Sequence, residues 1–249
     1  MESDNGTDLP ASLATAWGLR ERPAKGPKPG LSLERIVAAA IRVAEADGFA
    51  AVSMNRIAKE VGASAMALYR YVNAKGELIP LMLDVAIGDP PDPPAADEGW
   101  RSALGRWCRA YRDALGRSPW TLRVPISEPP NTPRQIAWFE HGLASLRGTG
   151  LTESEKVSVI MLLSGYVRST EAMFHGIAEA VTAAASSADQ MMSSYSDVLR
   201  KVIDPARFPS VAFALQEGVF DQADSVEGEF AFGLDRILDG IDVLVRGRT

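Results

Sequence analysis

The stretch that decides the fold is "SMNRIAKEVGASAMALYRYVNAKGEL", residues 53–78. Ser53 and Ser64 each offer a side-chain oxygen to cap a short amphipathic helix, and Gly62 between them suits a tight turn. An isolated helix this short is marginal in water, so the second helix must be held by packing against the first. The pattern therefore predicts a helix-turn-helix motif.

The second helix of the motif, predicted from Ala65 to about Val72, packs its apolar side against the first. In a DNA-binding helix-turn-helix this second helix lies in the major groove. Tyrosine and arginine can contact phosphates, and arginine also binds guanine. We therefore expect the outward side chains of this helix to contact DNA, namely Ala65, Met66, Tyr69 and Arg70.

Further helices flank the motif. Ser32 provides an N-cap for a helix predicted over residues 33–47, which Gly48 ends. Lys75 begins another helix, where free backbone N–H groups attract anions, so we expect Lys75 to bind phosphate. Residues 88–99, "GDPPDPPAADEG", cannot be helical and mark a domain boundary.

Every periodic segment after this boundary is helical. Apolar residues recur three and four positions apart over residues 100–117 and again over residues 229–246. No segment shows the alternation of a half-buried strand. We predict an all-α fold, in which a three-helix helix-turn-helix DNA-binding domain at residues 32–87 precedes a larger helical domain at residues 97–249.

Charge is distributed unevenly along the chain. Residues 20–75 hold ten Lys and Arg against five Asp and Glu, whereas the whole chain has a formal net charge of −6. A basic end on an acidic body is expected when that end binds an anion. Residues 1–31 lack periodicity and end in a basic stretch rich in proline and glycine, so we predict a flexible basic arm that can lie along phosphates.

The composition and motifs argue against several other functions. The single cysteine, Cys108, excludes an intramolecular disulfide and a cysteine-rich zinc site, and neither a glycine-rich phosphate loop nor an HEXXH motif is present. We therefore expect no catalytic residue, no metal and no cofactor. No apolar run is long enough to span a membrane, and the first residues are acidic where a secretory signal is basic. A cytoplasmic protein without membrane partners is expected.

The last predicted helix indicates self-association. Gly233 and Gly240 lie on nearly the same face, and a mid-helix glycine costs about 1 kcal/mol relative to alanine, which close approach of a second helix would offset. Burying the apolar stripe of this helix from two copies contributes about 15–30 kcal/mol before the cost of association. The alternative is a stripe that packs only within one subunit. We expect a homodimer interface of Phe230, Leu234, Ile237, Ile241 and Leu244.

Residues 33–84, "LERIVAAAIRVAEADGFAAVSMNRIAKEVGASAMALYRYVNAKGELIPLMLD", resemble the DNA-binding domain of the TetR family of bacterial transcriptional repressors. The core of the resemblance is the Gly-Ala-Ser turn, the Leu68-Tyr69 pair and Lys75. In the second domain, "GWRSALGRWCRAYRDALGRSPW", "DPARFPSV" and "FAFGLDRILDGIDVLV" are similar to the regulatory domain of the tetracycline-repressor type.

The resemblance implies a homodimeric repressor whose affinity for a pseudo-palindromic operator falls when a small molecule enters the C-terminal ligand-binding and dimerisation domain. Ala65 and Met66 cannot form bidentate hydrogen bonds with bases, so specificity must depend on Asn55, Arg70, van der Waals contacts and DNA shape. The residues that the resemblance places at the DNA are Ser53, Asn55, Ala65, Met66, Tyr69, Tyr71 and Lys75.

The resemblance also places Trp107 and Tyr111 at pocket-lining positions. The only histidines, His141 and His175, do not fall at the positions that hold magnesium-chelated tetracycline in the family. We therefore expect an effector that is mostly apolar or aromatic. Each further large apolar side chain also suits an ordinary core, but together they fit an adaptable cavity. Additional pocket walls are expected from Trp138, Met161, Tyr166, Met173 and Phe174.

The alternative function is a helical adaptor that binds only protein. A repressor shifts DNA in a salt-sensitive manner because it releases counterions from phosphates, whereas an adaptor gives no such shift. The sequence itself favours the repressor, because the helix-turn-helix pattern and the basic segment coincide.

Overall fold

The computed structural model describes residues 9–19, 31–126 and 128–248. Within these ranges every regular element is helical, so the predicted all-α fold is confirmed. Short 3₁₀ turns lie at Phe49–Ala51 and Pro119–Arg123. Among the residues described, no helix combines the length and the apolar content that spanning a lipid bilayer requires. The α-helices are α1 (Ala11–Ala16), α2 (Leu33–Asp47), α3 (Met54–Val61), α4 (Ala65–Leu68), α5 (Lys75–Ile87), α6 (Trp100–Arg117), α7 (Pro133–Ala144), α8 (Glu153–Ala183), α9 (Ala188–Val202), α10 (Pro209–Gln216) and α11 (Val226–Arg246).

Helices α2 to α5 surround an N-terminal core. Ile36 of α2, Ile57 of α3 and Leu68 of α4 are fully buried in one apolar cluster. Helix α5 closes the cluster with Leu78 and Met82, which are also fully buried. Helices α3 and α4 are short, so their stability comes from this shared burial and not from their own hydrogen bonds.

The turn between α3 and α4 has the geometry expected from the sequence. Gly62 ends α3 with a φ of +70°, a left-handed conformation that glycine adopts without strain. The Oγ of Ser53 accepts a hydrogen bond from the backbone nitrogen of Arg56 at 3.2 Å. The Oγ of Ser64 accepts one from the backbone nitrogen of Ala67, also at 3.2 Å. The predicted helix-turn-helix is therefore formed.

Helix α4 is shorter than the sequence predicted. It ends at Leu68, whereas the periodicity favoured a helix to about Val72. The backbone nitrogens of Tyr71 and Val72 both donate to the carbonyl oxygen of Leu68, which makes the next residues a tight turn. This turn carries the Val72 side chain into the core, where it is buried. Burial of Val72 therefore takes precedence over a longer helix.

Part of the predicted flexible arm is a docked helix. The hydroxyl of Ser12 in α1 donates to the Oε2 of Glu77 at 3.0 Å, and the Nε1 of Trp17 donates to the carbonyl oxygen of Asn131 at 2.9 Å. The prediction is thus wrong for residues 9–19, because six residues with mostly small side chains carry too little periodicity to be recognised. The rest of that predicted arm, residues 1–8 and 20–30, lies outside the described residues.

Helices α6, α7, α8 and α11 surround a second core. Leu104 of α6, Leu163 of α8 and Leu234 of α11 are buried in one apolar cluster. Helix α9 packs on α8, and α10 packs on α9. Helices α6, α7, α9 and α11 all contact α8.

The apolar stripe of α11 faces this second core. Phe230, Leu234 and Ile241 are buried within the subunit, and Ile237 is partly buried. The prediction that they form the dimer interface is therefore wrong for Phe230 and Leu234, because α6 and α8 already cover that face. Ile237 and Ile241 line an open groove beside Leu244, so for these two residues the interface stays a prediction. Leu244 is 38% exposed and remains available to a second subunit.

The two glycines of α11 have different surroundings. A Cβ on Gly233 would overlap the hydroxyl of Tyr166, so this glycine admits a side chain of α8 from the same subunit. A Cβ on Gly240 would meet no atom of the described residues within 4 Å. Of the two glycines, Gly240 is therefore the one that leaves room for a helix of a second subunit.

Residues of the second half of the chain complete the first core. Trp120 and Val124 are buried in the cluster formed by α2 to α5. The Trp120 ring stacks on the ring of Phe49, with 6.3 Å between ring centroids and 12° between ring planes. The Nε1 of Trp138 donates to the carbonyl oxygen of Gly88 at 3.0 Å. The helix-turn-helix part is therefore packed directly onto the larger helical part.

Candidate nucleic-acid interface and effector site

Three side chains form the outer surface of the helix-turn-helix. Met66 is 77% exposed, Tyr69 is 45% exposed, and Arg70 is also exposed. Because Leu68 is fully buried, α4 must present its other side to solvent. In the part of the chain that the structure describes, no carboxylate pairs with the Arg70 guanidinium. We call Met66, Tyr69 and Arg70 the reading surface.

The other residues of these helices that were predicted to contact DNA differ in their exposure. Ser53 and Asn55 of the α3 start are exposed. Ser53 uses its oxygen as a cap acceptor and keeps its hydroxyl proton as a donor. Ala65 is partly buried and packs against the N-terminal core, so it offers only part of its methyl group to a partner.

Tyr71 does not belong to the reading surface. Its side chain is partly buried against the N-terminal core, and its hydroxyl donates to the carbonyl oxygen of Leu31 at 2.9 Å. The prediction of a DNA contact for Tyr71 is corrected on this ground. The residue lies beyond the end of α4, in the turn that carries Val72 inward, so its ring follows the core and not the outer side of α4.

Lys75 begins α5 and lies beside an aromatic ring. Its Nζ is 5.0 Å from the centroid of the Phe49 ring, which fits a cation–π contact. Among the described residues, no side chain caps the start of α5 at Ala74. The backbone nitrogen of Glu77 donates to the Ala74 carbonyl oxygen, so the N–H groups of Lys75 and Gly76 are the ones available to an anion. A phosphate placed there would meet both the helix N-terminus and the lysine charge.

Glu77 fixes the geometry next to Lys75. The carboxylate accepts hydrogen bonds from the backbone nitrogen of Asn73 at 3.2 Å, from the Asn73 Nδ2 at 2.8 Å and from the Ser12 hydroxyl. Burial raises the pKa of Glu77, but the hydrogen bonds from Asn73 and Ser12 outweigh it and hold the pKa below its ordinary value. Its charge is therefore used within the protein.

Other arginines near α3 are neutralised within the subunit. Arg56 pairs with Asp47 at 3.0 Å and with Glu60 at 2.9 Å, and Arg42 pairs with Glu60 at 3.4 Å. The hydrogen bonds from Arg56 and Arg42 hold the pKa of Glu60 below its ordinary value. These arginines brace α2 against α3, which leaves Arg70 as a better candidate for contact with DNA.

Three of the predicted pocket residues form one aromatic cluster. The rings of Trp107 and Tyr111 are stacked with 5.4 Å between centroids, and the Trp138 ring lies 6.1 Å from Trp107 and 5.5 Å from Tyr111. The Nε1 of Trp107 donates to the carbonyl oxygen of Trp138 at 2.9 Å. Burial raises the pKa of Tyr111, and the nearby positive charge of Arg168 offsets part of that rise. Because the rings touch, an effector must separate them to enter.

The remaining predicted pocket residues do not share this place. Tyr166 stacks on Phe230 at 5.7 Å and donates its hydroxyl to the Phe230 carbonyl oxygen at 2.8 Å. Phe174 is partly buried against the same C-terminal core. Met161 and Met173 are 68% and 54% exposed, so the prediction that they line an interior pocket of the subunit is wrong. They lie on the outer side of α8. Around Met161 the helix is apolar nearly all round, over residues 157–167, so periodicity does not distinguish the outer side from the inner side there.

Several residues of the site were not found by sequence reasoning. Phe49 supports Lys75 and stacks on Trp120, yet it follows a helix end as one ordinary apolar residue. Arg112 bonds Glu171 at 3.1 Å and also Glu227, and it lies over the Phe230 ring, but three residues far apart in sequence gave no motif. Within the described ranges, no three His, Cys, Asp or Glu side chains are grouped as metal ligands.

Two protein-family models match the sequence. The model described as bacterial regulatory proteins, tetR family, matches residues 36–80, which contain α3, α4 and the reading surface. The model described as tetracyclin repressor-like, C-terminal domain, matches residues 91–245. The two matches thus cover both the helix-turn-helix and the larger helical part.

A curated relative is similar over nearly the whole chain. The HTH-type transcriptional repressor DrrR1 of Streptomyces coeruleorubidus is 38% identical over 251 residues, which cover 99% of this chain and 90% of the relative.

Solved structures share the fold. Apo ActR from Streptomyces coelicolor superposes with a TM-score of 0.73 at 22% identity, covering 90% of this chain and 100% of ActR. The complex of ActR with actinorhodin superposes with a TM-score of 0.70 at 23% identity, covering 88% of this chain and 99% of ActR.

Proposed function

The chain belongs to the TetR family of bacterial regulatory proteins, a ligand-responsive class of transcriptional repressors, and we propose that it binds a pseudo-palindromic operator as a homodimer. In this proposal an apolar or aromatic small molecule releases the protein from DNA. The protein acts in the bacterial cytoplasm, where its DNA target lies, and it performs no catalysis.

The observation that carries the proposal is the reading surface. Met66, Tyr69 and Arg70 lie together on the outside of a helix-turn-helix whose inner side is fully buried. A guanidinium without a carboxylate partner can bind phosphate or guanine, and the methionine and tyrosine side chains can pack on thymine methyl groups. A folded protein gains nothing by itself from exposing these groups side by side, whereas a DNA duplex would cover them.

Hydrogen bonds to bases can account for only part of the sequence specificity of this surface. Ala65 and Met66 carry no group that forms a bidentate pair with a base. Asn55 and Arg70 carry side-chain donors that can reach base edges, and both are exposed. The proposal therefore assigns much of the specificity to shape complementarity and to the deformability of the operator.

The second subunit is proposed to pack along α8 and α11. Exposed apolar side chains of both helices, Leu162 and Leu244, line one open groove, and Gly240 leaves room beside them. We call this groove the dimer face. A two-fold axis through it would place two reading surfaces on half-sites about 34 Å apart, or a multiple of that distance.

The effector is proposed to enter at the cluster of Trp107, Tyr111 and Trp138. Aromatic rings at contact distance bind flat aromatic molecules by stacking once they separate. The related fold of ActR has been solved in complex with actinorhodin, and we propose by analogy that this chain also binds a small molecule. The Nδ1 of His141 lies 2.8 Å from the carbonyl oxygen of Pro91, so this ring nitrogen is engaged within the subunit, and a magnesium-chelated tetracycline is not the effector proposed.

Two experiments test the proposed function. A gel-shift titration uses a duplex from the DNA upstream of the gene, at several salt concentrations. A salt-sensitive shift is expected, and its absence at low ionic strength would favour an adaptor that binds only protein. A thermal-shift series then compares flat aromatic compounds with tetracycline plus Mg²⁺. An aromatic ligand at about 100 times its Kd should stabilise the fold by about 2.7 kcal/mol, whereas selective stabilisation by the chelate would refute the effector class.

A further inference from the structure

The 3₁₀ turn Pro119–Arg123 carries the contact through which the larger domain enters the core of the DNA-binding domain. Trp120 and Val124 are buried among residues of α2 to α5, although they follow α6 in the chain. The Trp120 ring stacks on Phe49, and Phe49 lies under the Nζ of Lys75. A displacement of this turn would therefore shift Phe49, on which Lys75, the predicted phosphate contact, rests.

Arg168 of α8 holds this turn in place. Its Nη2 donates to the carbonyl oxygen of Thr121 at 2.8 Å and to that of Val124 at 2.6 Å. The Nε1 of Trp120 and the Oγ1 of Thr121 have no hydrogen-bond partner in the described parts of the chain. The Trp120 and Thr121 side chains are thus held by packing, and Arg168 supplies hydrogen bonds from α8 to the backbone of the turn.

Arg168 is also connected to the aromatic cluster through α6. Trp107 and Tyr111 lie on α6, which packs along α8, and α6 ends at Arg117, two residues before the turn that Arg168 binds. The guanidinium is partly buried, and its positive charge offsets part of the rise that burial causes in the pKa of Tyr111. Within the described residues no carboxylate pairs with it, so its hydrogen bonds to backbone carbonyls are the contacts that compensate its burial. Arg168 therefore binds the turn that follows directly on the helix of Trp107 and Tyr111 and that enters the DNA-binding core.

We propose that Arg168 is a positioning residue for operator binding, which transmits the state of the Trp107–Tyr111–Trp138 cluster to the DNA-binding domain through the Pro119–Arg123 turn. The proposal rests on the proposed function and adds to it the residue that couples the two sites. While Arg168 binds the Thr121 and Val124 carbonyls, Trp120 is held against Phe49. When the guanidinium moves, the turn loses its polar anchor and the support of Lys75 loosens.

The first arm of the test does not depend on DNA. Hydrogen–deuterium exchange is compared between the wild-type chain and Arg168→Gln, which shortens the side chain and removes its charge. Faster exchange is expected at residues 118–124 and at Phe49–Ala51, far from the substituted position in the sequence. The control is Arg123→Gln, because Arg123 lies on the same turn but pairs with Glu179 at an exposed position. The proposal would be overturned if Phe49–Ala51 exchanged at the same rate in Arg168→Gln as in the wild-type chain.

The second arm measures affinity for the upstream duplex by fluorescence anisotropy. Arg168→Gln is expected to weaken binding by about 3- to 30-fold, the usual size of coupling between distant sites, with an unchanged salt slope because no phosphate contact is lost. Arg123→Gln should bind as the wild type does. An unaltered affinity in Arg168→Gln, or a reduced salt slope, would contradict the positioning role.

Two further variants separate positioning from simple destabilisation. Arg168→Lys keeps the charge and can donate to the same carbonyls, so it should recover at least half of the lost exchange protection and affinity if the polar anchor is what matters. Trp120→Leu removes the stacked ring, and adding Arg168→Gln to it should cause little further loss if both act through one contact. Fully additive losses would count against the coupling. If the wild-type chain binds no DNA at all, the proposed function fails, and the exchange arm alone decides the role of Arg168.

Discussion

The Oδ1 atom of Asp84 in α5 lies 2.8 Å from the backbone nitrogen of Arg134 and 3.3 Å from that of Gln135, at the start of α7. The Oδ2 atom of the same carboxylate is 3.4 Å from the Arg134 Nη1, and the Asp84 side chain is buried. A carboxylate at a helix N-terminus binds free N–H groups and is favoured by the helix dipole. Asp84 therefore fastens the DNA-binding domain to the larger domain.

Replacing Asp84 should destabilise the protein strongly. Asp84→Ala leaves two backbone N–H groups and a guanidinium without their buried partner, so the free energy of unfolding should fall by about 2–4 kcal/mol. Urea denaturation followed by circular dichroism measures this change. Asp89 provides the matched control because it also pairs with Arg134 but is well exposed, and Asp89→Ala should change stability by less than about 1 kcal/mol. Equally small effects of the two substitutions would show that Asp84 has no special role.

Lys75 should contribute to DNA affinity through phosphate. Lys75→Ala is expected to weaken binding to all duplexes by a similar factor and to lower the slope of log K against log salt by about 0.9. Anisotropy titrations at several salt concentrations give this slope. Lys156 of α8, which pairs with Glu153 at 2.7 Å, serves as the control and should have no effect when changed to alanine. A loss confined to one DNA sequence would argue against the phosphate role.

The dimer face predicts which substitutions produce monomers. Leu162→Glu and Leu244→Glu each place a charge in the groove between α8 and α11, where burial against a second copy would leave it without a partner. Sedimentation velocity should then show a protein of half the mass with unchanged helix content. Val85→Glu, at an exposed apolar residue of α5, is the control and should leave the mass unchanged. Dimers that survive both groove substitutions would place the interface elsewhere.

Cys108 should make stability depend on alkaline pH. Burial raises the pKa of its thiol from about 9 to about 12, and the charge of Arg109 offsets part of the effect. Because the unfolded chain releases this proton at lower pH than the folded protein, the contribution is complete below about pH 8. It is lost as pH rises from about 9 towards 12, by at most about 1.4 kcal/mol per pH unit.

The measurement for Cys108 is urea denaturation at pH 8, 9 and 10. The wild-type chain should lose more stability over this range than Cys108→Ala, which lacks the ionisable thiol. Tyr111, whose pKa is also raised by burial, contributes equally in both proteins and so cancels from the comparison. Equal slopes for the two proteins would mean that the thiol is not held neutral by the fold.

Local signals were sufficient to predict the helix-turn-helix. Ser53, Gly62 and Ser64 act within three or four residues of their own position, and the structure contains the caps and the left-handed turn that they predicted. The family resemblance drawn from residues 33–84 is confirmed for the same reason, because its motif is continuous in sequence. The length of α4 was not predictable, since burial of Val72 depends on a core that several helices build together.

Contacts between distant segments were the part that the sequence did not reveal. An apolar stripe such as that of α11 indicates that one face is covered, but it does not say whether the cover is α6 and α8 of the same subunit or a second copy. Phe230 is covered by its own subunit, so the dimer prediction for this residue is wrong. Trp120 likewise looked like a residue of the larger domain, and only the folded chain brings it onto Phe49.

The most direct measurement of the central claim is oxidative footprinting of the reading surface with and without DNA. Hydroxyl-radical labelling, read by mass spectrometry, should modify Met66 and Tyr69 readily in the free protein, because both side chains are exposed. Adding a saturating duplex from upstream of the gene should lower the labelling of both residues several-fold, while Tyr195 of α9, which is similarly exposed, keeps its rate. The account would be contradicted if Met66 and Tyr69 were labelled as fast in the saturated DNA complex as in the free protein.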